Sequence, residues 1–358
     1  MSLSSSSPRP ESEAAAPDAA APGPVPGRRP AGRRVSLRYF AVKLLGALVS
    51  LLAVMVTSFF LFRVIPGDPV AAMTQGRKVT PEQREELFRQ FGLDQPLWQQ
   101  FLGYLRDLLR LDLGLSYQYK APVTELIATR LGPTLLLVGT ATLIAAALGL
   151  WLGTRAGWRR GSTADRVHTG VALTLFSVPT FWLGLLMIVV LAGGAGGMPH
   201  LFPTGGMGSP DVSGVGNVIV DTAHHMVLPV ATLVAVLYAQ YLMIMRSSLL
   251  DEMGSDYLVT ARAKGLRDDL VLRRHAVPNA LLPTVTLLFL KIGQVVSGTI
   301  LVEAVFSWPG LGMLFYEGLS VPDLPLVQGL FIFFSASVIF MNLLADFVYP
   351  LFDPRVRT

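Results

Sequence analysis

Five lysines, five histidines and no cysteine limit the chemistry that this 358-residue chain could perform. The lysines are Lys43, Lys78, Lys120, Lys264 and Lys291; none follows a glycine and none precedes serine or threonine. A phosphate-cradling loop of the Walker type needs Gly-Lys-Ser/Thr, so hydrolysis of ATP in that way does not belong to this chain. No His-Glu-x-x-His pattern occurs. His224 and His225 are adjacent in what reads as a loop, with only Asp221 as a further ligand type nearby. Adjacent residues do not share a helix face, which makes a metal site there a poor reading. The lack of cysteine removes disulfides, thiolate metal sites and thiol nucleophiles. The reading is of a chain with no catalytic residues, no bound cofactor and no metal.

The stretch richest in usable groups is 246–279. It runs Asp256-Tyr-Leu-Val-Thr-Ala-Arg-Ala-Lys-Gly265-Leu266 and later Val277-Pro278. Ser255 or Asp256 can cap one short helix, and Gly265 can end it with a left-handed residue. Asp268 can cap a second, expected to end near Pro278. Two short helices around a glycine corner make a knob. Ala261 and Ala263 would allow another protein to approach closely, and Arg262, Lys264, Arg273 and Arg274 offer charge pairing. A solvated basic loop is the blander alternative; the caps and the corner favour docking. A second candidate is Lys291, about ten residues into an apolar run and so ~15 Å along a helix. A lysine at that depth faces a wet cavity or a carboxylate. Lys291, with Gln294 nearby, would line such a cavity and attract a carboxylate. The alternative, that Lys291 snorkels or pairs structurally, stays open.

The elements that must hold these residues follow from composition. Apolar residues make up 52% of the chain and charged residues 15%, and mean hydropathy is +0.52. Soluble domains carry about a quarter charged residues. Six runs are long enough for a membrane helix of ~20 residues: Tyr39–Phe62, Leu131–Leu152, Val171–Ala192, Met226–Met245, Ala280–Val302 and Leu324–Val348. Arg155, Arg159, Arg160 and Arg166 sit in 153–170, six cations sit in 246–279, and Arg355 and Arg357 end the chain, whereas 193–225 and 303–323 contain no Lys or Arg. The positive-inside rule then places both termini in the cytoplasm. Residues 1–38 read as a disordered Pro/Ser/Ala-rich cytoplasmic tail. Its last cations precede an uncleaved first span at 39–62, near whose start Lys43 adds one more. Residues 63–130 form an external helical segment. Within it Thr80-Pro81-Glu82-Gln83 is a capping-box start. A second helix between Asp94 and Gly114 carries Leu97, Phe101, Tyr104, Leu105 and Leu108 on one face. It would pack on the outer ends of the spans, or lie at the interface and meet a partner. Residues 131–348 are a five-helix core, and 349–358 a cytoplasmic tail.

Thr260-Ala-Arg-Ala-Lys-Gly265 followed by Val277-Pro278 resembles the coupling loop of ABC importer permeases. Val259-Thr260-Ala261 stands where the general motif has Glu-Ala-Ala, a departure similar to the dipeptide/oligopeptide/nickel permease subfamily. Ile65-Pro-Gly-Asp-Pro69, Phe91-Gly-Leu-Asp-Gln-Pro-Leu-Trp98, Asp112-Leu-Gly-Leu-Ser116, Phe306-Ser-Trp-Pro-Gly-Leu-Gly312 and Asp353-Pro-Arg-Val-Arg357 are also similar to that subfamily.

The resemblance implies an all-α integral membrane protein with six transmembrane helices, of the type I importer permease fold, with an external helical insertion after the first span. It implies a second homologous permease, two ATP-binding subunits that carry ATP and Mg, and an extracellular or periplasmic solute-binding protein. It places the complex in the bacterial cytoplasmic membrane, surrounded by lipid, with a peptide-like substrate and no nucleic acid. Asp256, Tyr257, Thr260, Ala261, Arg262, Ala263, Lys264, Gly265, Leu266 and Pro278 would form the ATPase-coupling loop. Nickel or oligosaccharide as the solute, and an ion-coupled secondary carrier as the class, remain as alternatives. A carrier of the latter kind would show inverted repeats and intramembrane acids.

Overall fold

The computed structural model describes residues 37–64, 80–90, 95–194, 200–281 and 299–352. Among the described residues the chain is helical, without a strand and with one isolated bridge between Leu115 and Pro122. Four helices are long and apolar enough to cross a membrane: α1 (Leu37–Val64), α4 (Val123–Trp158), α7 (Val215–Glu252) and α12 (Leu324–Phe352). Smaller helices are α2 (Pro81–Gln90), α3 (Leu97–Leu109), α5 (Thr163–Ser177) and α6 (Thr180–Met187). The others are α8 (Asp256–Ala263), α9 (Asp268–Val271), α10 (Ile300–Val305) and α11 (Leu311–Ser320).

The expected span Val171–Ala192 is a broken one. Helix α5 ends at Ser177, and α6, continued by a π turn over Ile188–Ala192, leaves it at 98°. The cause is Pro179. Its ring disfavours a helical residue before it, and Val178 is extended at φ −82°, ψ 130°. Counted as one span, this bent pair makes a fifth crossing. The expected span Ala280–Val302 lies outside the described residues except at its two ends.

The expected span Met226–Met245 is only the middle of a 38-residue helix. His224 and His225 therefore lie inside α7 and not in a loop. Their ring nitrogens bond to the carbonyl oxygens of Leu201 (3.0 Å) and Asp221 (2.9 Å). Among the described residues no cluster of three His, Asp or Glu side chains could hold a metal.

Among the described residues, helices α4 and α7 make the most extensive contact. Gly149, Gly153 and Gly157 recur at every fourth position and so share one face of α4. A Cβ on Gly149 would fall 2.5 Å from the Tyr241 Cβ, and one on Gly153 would fall 2.6 Å from the Leu242 carbonyl oxygen. Tyr241 and Leu242 are completely or almost completely buried against this face, with Ala145, Ala146 and Ala239. In lipid, no hydrophobic force draws helices together; close packing of small residues does so through dispersion.

Helix α1 flanks the bundle against α12. Lys43 Nζ pairs with the Asp346 carboxylate at 3.0 Å, and Phe40 meets Phe347 edge-on at 5.0 Å. The start of α1 and the end of α12 thus sit together. The Thr80 capping box forms in both directions, Gln83 N–H to Thr80 Oγ1 (3.3 Å) and Thr80 N–H to Gln83 Oε1 (3.1 Å). On α3, Leu108 is buried and Phe101, Tyr104 and Leu105 are half-buried, as the apolar face requires. Leu97, expected on that face, is exposed.

The glycine stripe makes a direct prediction. Gly153→Val forces Cβ into the α7 backbone and lowers stability by about 3 kcal/mol. Gly139→Ala, on the same helix with nothing within 4 Å, holds or gains up to ~1 kcal/mol. Thermal unfolding of the purified variants in detergent checks this; equal midpoints for the two variants contradict it.

Candidate functional site

The knob foreseen in 246–279 exists. Helix α8 ends at Ala263 with Lys264 as its C-cap, and Gly265 turns the chain with φ +78°. Glycine is the residue that takes this conformation without a Cβ penalty. Leu266 N–H reaches back to the Ala261 carbonyl and Gly265 N–H to the Arg262 carbonyl, closing the corner. Helix α9 follows, then a π turn over Leu272–Ala276, and the chain stays helical to Leu281. The expected stop near Pro278 does not occur. A π turn widens the backbone immediately upstream, which accommodates a residue with no N–H and a bulky ring. The Asn279 amide also donates to the His275 carbonyl at 2.9 Å.

The expected caps are spent elsewhere. The Ser255 hydroxyl donates to the Glu252 carbonyl, and Arg267 rather than Asp268 is the residue that precedes α9. Asp268 accepts from Arg262 Nε at 3.2 Å, tying the two short helices across the corner.

The knob has its own core. Leu258, Ala261, Val271, Ala276 and Ala280 pack on Met245 and Leu249 of α7, with Leu150 and Trp158 of α4 and Leu266 half-buried beside them. Ala261 is thus inside the knob, not on its exposed face. The i, i+3 spacing from Leu258 puts it inward. Asp256, Tyr257, Val259, Thr260, Arg262, Ala263, Lys264 and Gly265 are exposed, as is Pro278. The Tyr257 hydroxyl donates to the Glu252 carboxylate and accepts from Asn279 Nδ2 at 3.2 Å. Burial, and then the Glu252 carboxylate, push this phenol above the usual tyrosine range. The Arg262 guanidinium stands 5.5 Å over the Trp158 ring, at the end of α4.

A buried ion pair that the sequence reading did not single out joins the knob's base to the next loop. Arg246 of α7 makes two bonds to Asp165 of α5, at 2.7 and 3.0 Å. The Asp165 side chain is 4% exposed and that of Arg246 24%. Asp165 also receives the Gly161 N–H (2.9 Å) and the Thr169 hydroxyl (3.3 Å).

At the opposite end of the bundle, Glu303 is completely buried. It accepts from the Thr134 and Thr299 hydroxyls (2.9 and 3.1 Å) and from the N–H groups of Gly312 and Met313 (2.7 and 3.1 Å). Trp308 Nε1 donates to the Pro133 carbonyl at 3.0 Å. A side chain on Gly310 would collide with Glu303 at 2.2 Å. Gly310 and Gly312 of the 306–312 motif thus close on this carboxylate, while Phe306 and Trp308 pack in the core. Beyond the other end of α11, Asp323 accepts from Ser116 Oγ (2.6 Å) and the Gln118 N–H (3.0 Å).

Between α4 and α7 lies an apolar groove of about 780 Å³, lined by Leu136, Ile144, Ile219, Met226, Val230 and their neighbours, without a charged side chain. Lys291 and Gln294 lie outside the described residues.

The chain matches the family model described as binding-protein-dependent transport system inner membrane component over residues 145–358. The N-terminal model of the same systems matches residues 36–138. It is 36% identical over 333 residues to the dipeptide transport system permease protein of Escherichia coli, covering 89% of this chain and 98% of that one. It is 37% identical over 322 residues to the glutathione transport system permease protein of Pectobacterium atrosepticum, covering 90% and 99%. It is 34% identical over 320 residues to the oligopeptide transport system permease protein of Bacillus subtilis, covering 89% and 99%.

The ion pair predicts a non-additive cycle. Asp165→Ala leaves a largely buried guanidinium without its partner and costs about 2–3 kcal/mol, less than a fully buried pair because Arg246 is partly hydrated. Adding Arg246→Met recovers part of that loss. Thermal midpoints of the two single variants and the double variant measure the coupling; simple additivity counts against it.

Proposed function

Because the chain belongs to the family of binding-protein-dependent transport system inner membrane components, and is thus a transport subunit rather than an enzyme, we propose that its cargo is a short peptide. The observation that carries this reading is near-full-length similarity to three permeases, each named for a peptide solute. In this account the chain contributes six spans in the bacterial cytoplasmic membrane, both termini cytoplasmic. It pairs with a second related permease, an external binding protein and two ATP-binding subunits.

The knob is the proposed seat of an ATP-binding subunit. Three features support it. Its exposed face holds Tyr257, Thr260, Arg262, Ala263 and Lys264 around a glycine corner. Its inner face is packed on α7 and α4, so a push on the knob is carried into both. The Asp165–Arg246 pair extends the link to the bent α5–α6 pair. Arg262, already bonded to Asp268 and placed over Trp158, has the role of bracing the corner rather than only meeting a partner. Nucleotide can shift such a permease between inward- and outward-facing states only by binding one better than the other. A rigid lever from knob to bundle is the means by which that difference would be felt. Lys291, with Gln294, is proposed to line the path and attract a peptide carboxylate.

In proteoliposomes holding this chain with its co-purified partners, ATP-dependent uptake of labelled di- and tripeptides is expected, and no uptake of nickel or oligosaccharide. Uptake independent of ATP, or of nickel or oligosaccharide alone, overturns the reading. In the same assay Gly265→Val, which puts a β-branched residue at φ +78°, lowers ATP-driven uptake about tenfold or more at unchanged expression. Lys291→Gln lowers uptake of peptides with a free C-terminus; equal uptake across substrates removes Lys291 from the path.

A further inference from the structure

We infer that α3 lies along the lipid–water boundary and dips Trp98, Leu102 and Leu109 into the acyl region, so that the partner of this exposed face is the bilayer itself. The height of α3 is set by its contacts. Phe59 stacks edge-on with Phe101 at 5.2 Å and meets Tyr104 at 5.6 Å. Phe59 lies five residues before Val64, the end of α1. The buried Tyr104 hydroxyl lies near Ser58 of α1 and Gln328 of α12 without a formed hydrogen bond among the described residues, and Gln328 lies four residues after Leu324, the start of α12. At 1.5 Å per residue, both contacts fall ~6–8 Å inside the ends of two spans. That is the depth at which an interfacial helix buries its apolar face.

The side-chain pattern fits that depth. Phe101, Tyr104 and Leu108 face the spans. About 100° round the helix from them, at 3.6 residues per turn, stand Trp98, Leu102 and Leu109. These are 62%, 56% and 83% exposed. Three large apolar side chains in one exposed row are unusual for a face in water. Beyond them come Gln99, Arg106 and Arg110, all exposed. This order, packed face then apolar flank then cationic flank, is that of a helix lying in a membrane surface. Tryptophan is enriched at that level because its ring is apolar and its N–H polar.

Two neighbouring features continue the belt. Phe60 and Leu61 of α1, beside Phe59, are 51% and 45% exposed. At the end of α3, Leu111 takes the left-handed conformation (φ 59°) that glycine usually fills, with Leu111 N–H to the Leu108 carbonyl and Asp112 N–H to the Asp107 carbonyl. Its side chain is 78% exposed. A leucine kept at a glycine position, with its side chain outward, adds another apolar group at the same end of the row.

The chain has no cysteine, so single-cysteine variants need no background changes. Leu102→Cys, Leu109→Cys and Gln99→Cys are nitroxide-labelled in the full chain, with its associated subunits, in nanodiscs of phosphatidylethanolamine and phosphatidylglycerol. Collision with oxygen is compared with collision with a water-soluble nickel chelate. The oxygen-to-nickel ratio is expected to be at least fivefold higher at 102 and 109 than at 99. Equal ratios at the three sites, with ready access of nickel, would mean that the face is in water and overturn the inference. Exclusion of both reagents from 102 and 109 would mean that a protein covers the face, and would overturn it equally. A second readout avoids labelling: lipids brominated on the acyl chain quench a tryptophan component that Trp98→Phe removes. Unchanged quenching in that variant contradicts the assignment.

Discussion

The close approach of α4 and α7 along Gly149, Gly153 and Gly157 is the contact on which the rest of the chain depends. Backbone meets backbone there, with Cβ positions that would fall 2.5–3.2 Å from α7 atoms. Such an interface has almost no tolerance, because interiors are packed to crystal-like density and cannot stretch to absorb a methyl group. It also fixes geometry. Helices of 36 and 38 residues held together over this length act as one stiff beam. At one end that beam carries the knob; at the other it carries Thr134, the hydroxyl that binds Glu303 and the Leu311 N–H (2.8 Å).

Everything proposed about coupling follows from what is attached to this beam and how. The knob is joined by a hydrophobic core, by Arg262 over Trp158 and by the Tyr257–Glu252–Asn279 bonds. The bent pair α5–α6 is joined by Asp165 to Arg246. Helix α1 is joined to α12 by Lys43 to Asp346, 40% and 38% exposed, which is a weaker kind of tie.

Much of this was legible in the residues, and the part that was not has physical reasons. The capping box at Thr80, the corner at Gly265 and the apolar spans are local, decided within a few positions of one another. The Asp165–Arg246 and Thr134–Glu303 bonds join residues 81 and 169 positions apart; nothing local announces them. The glycine stripe was visible as a repeat of four within an apolar run, a signal that hydropathy alone passes over because glycine adds little to it. The length of α7 was understated because bilayer thickness sets a minimum for a span and not a limit. The inward turn of Ala261 needed the position of α7, since a helix of eight residues can present either face. Pro179 disfavours a helical residue before it, but only the packing of α6 decides that the bend is 98°.

The central claim is that the exposed side of the knob seats an ATP-binding subunit. Cross-linking from a single cysteine tests it most directly. Ala263→Cys places a thiol on that side in a chain with no other cysteine. With a short bifunctional reagent in native membranes, the account predicts an adduct with an ATP-binding protein, identified by mass spectrometry and absent for a cysteine at Val218 on the far end of α7. An Ala263→Cys variant that transports normally yet gives no such adduct, or gives it equally from position 218, would contradict the account.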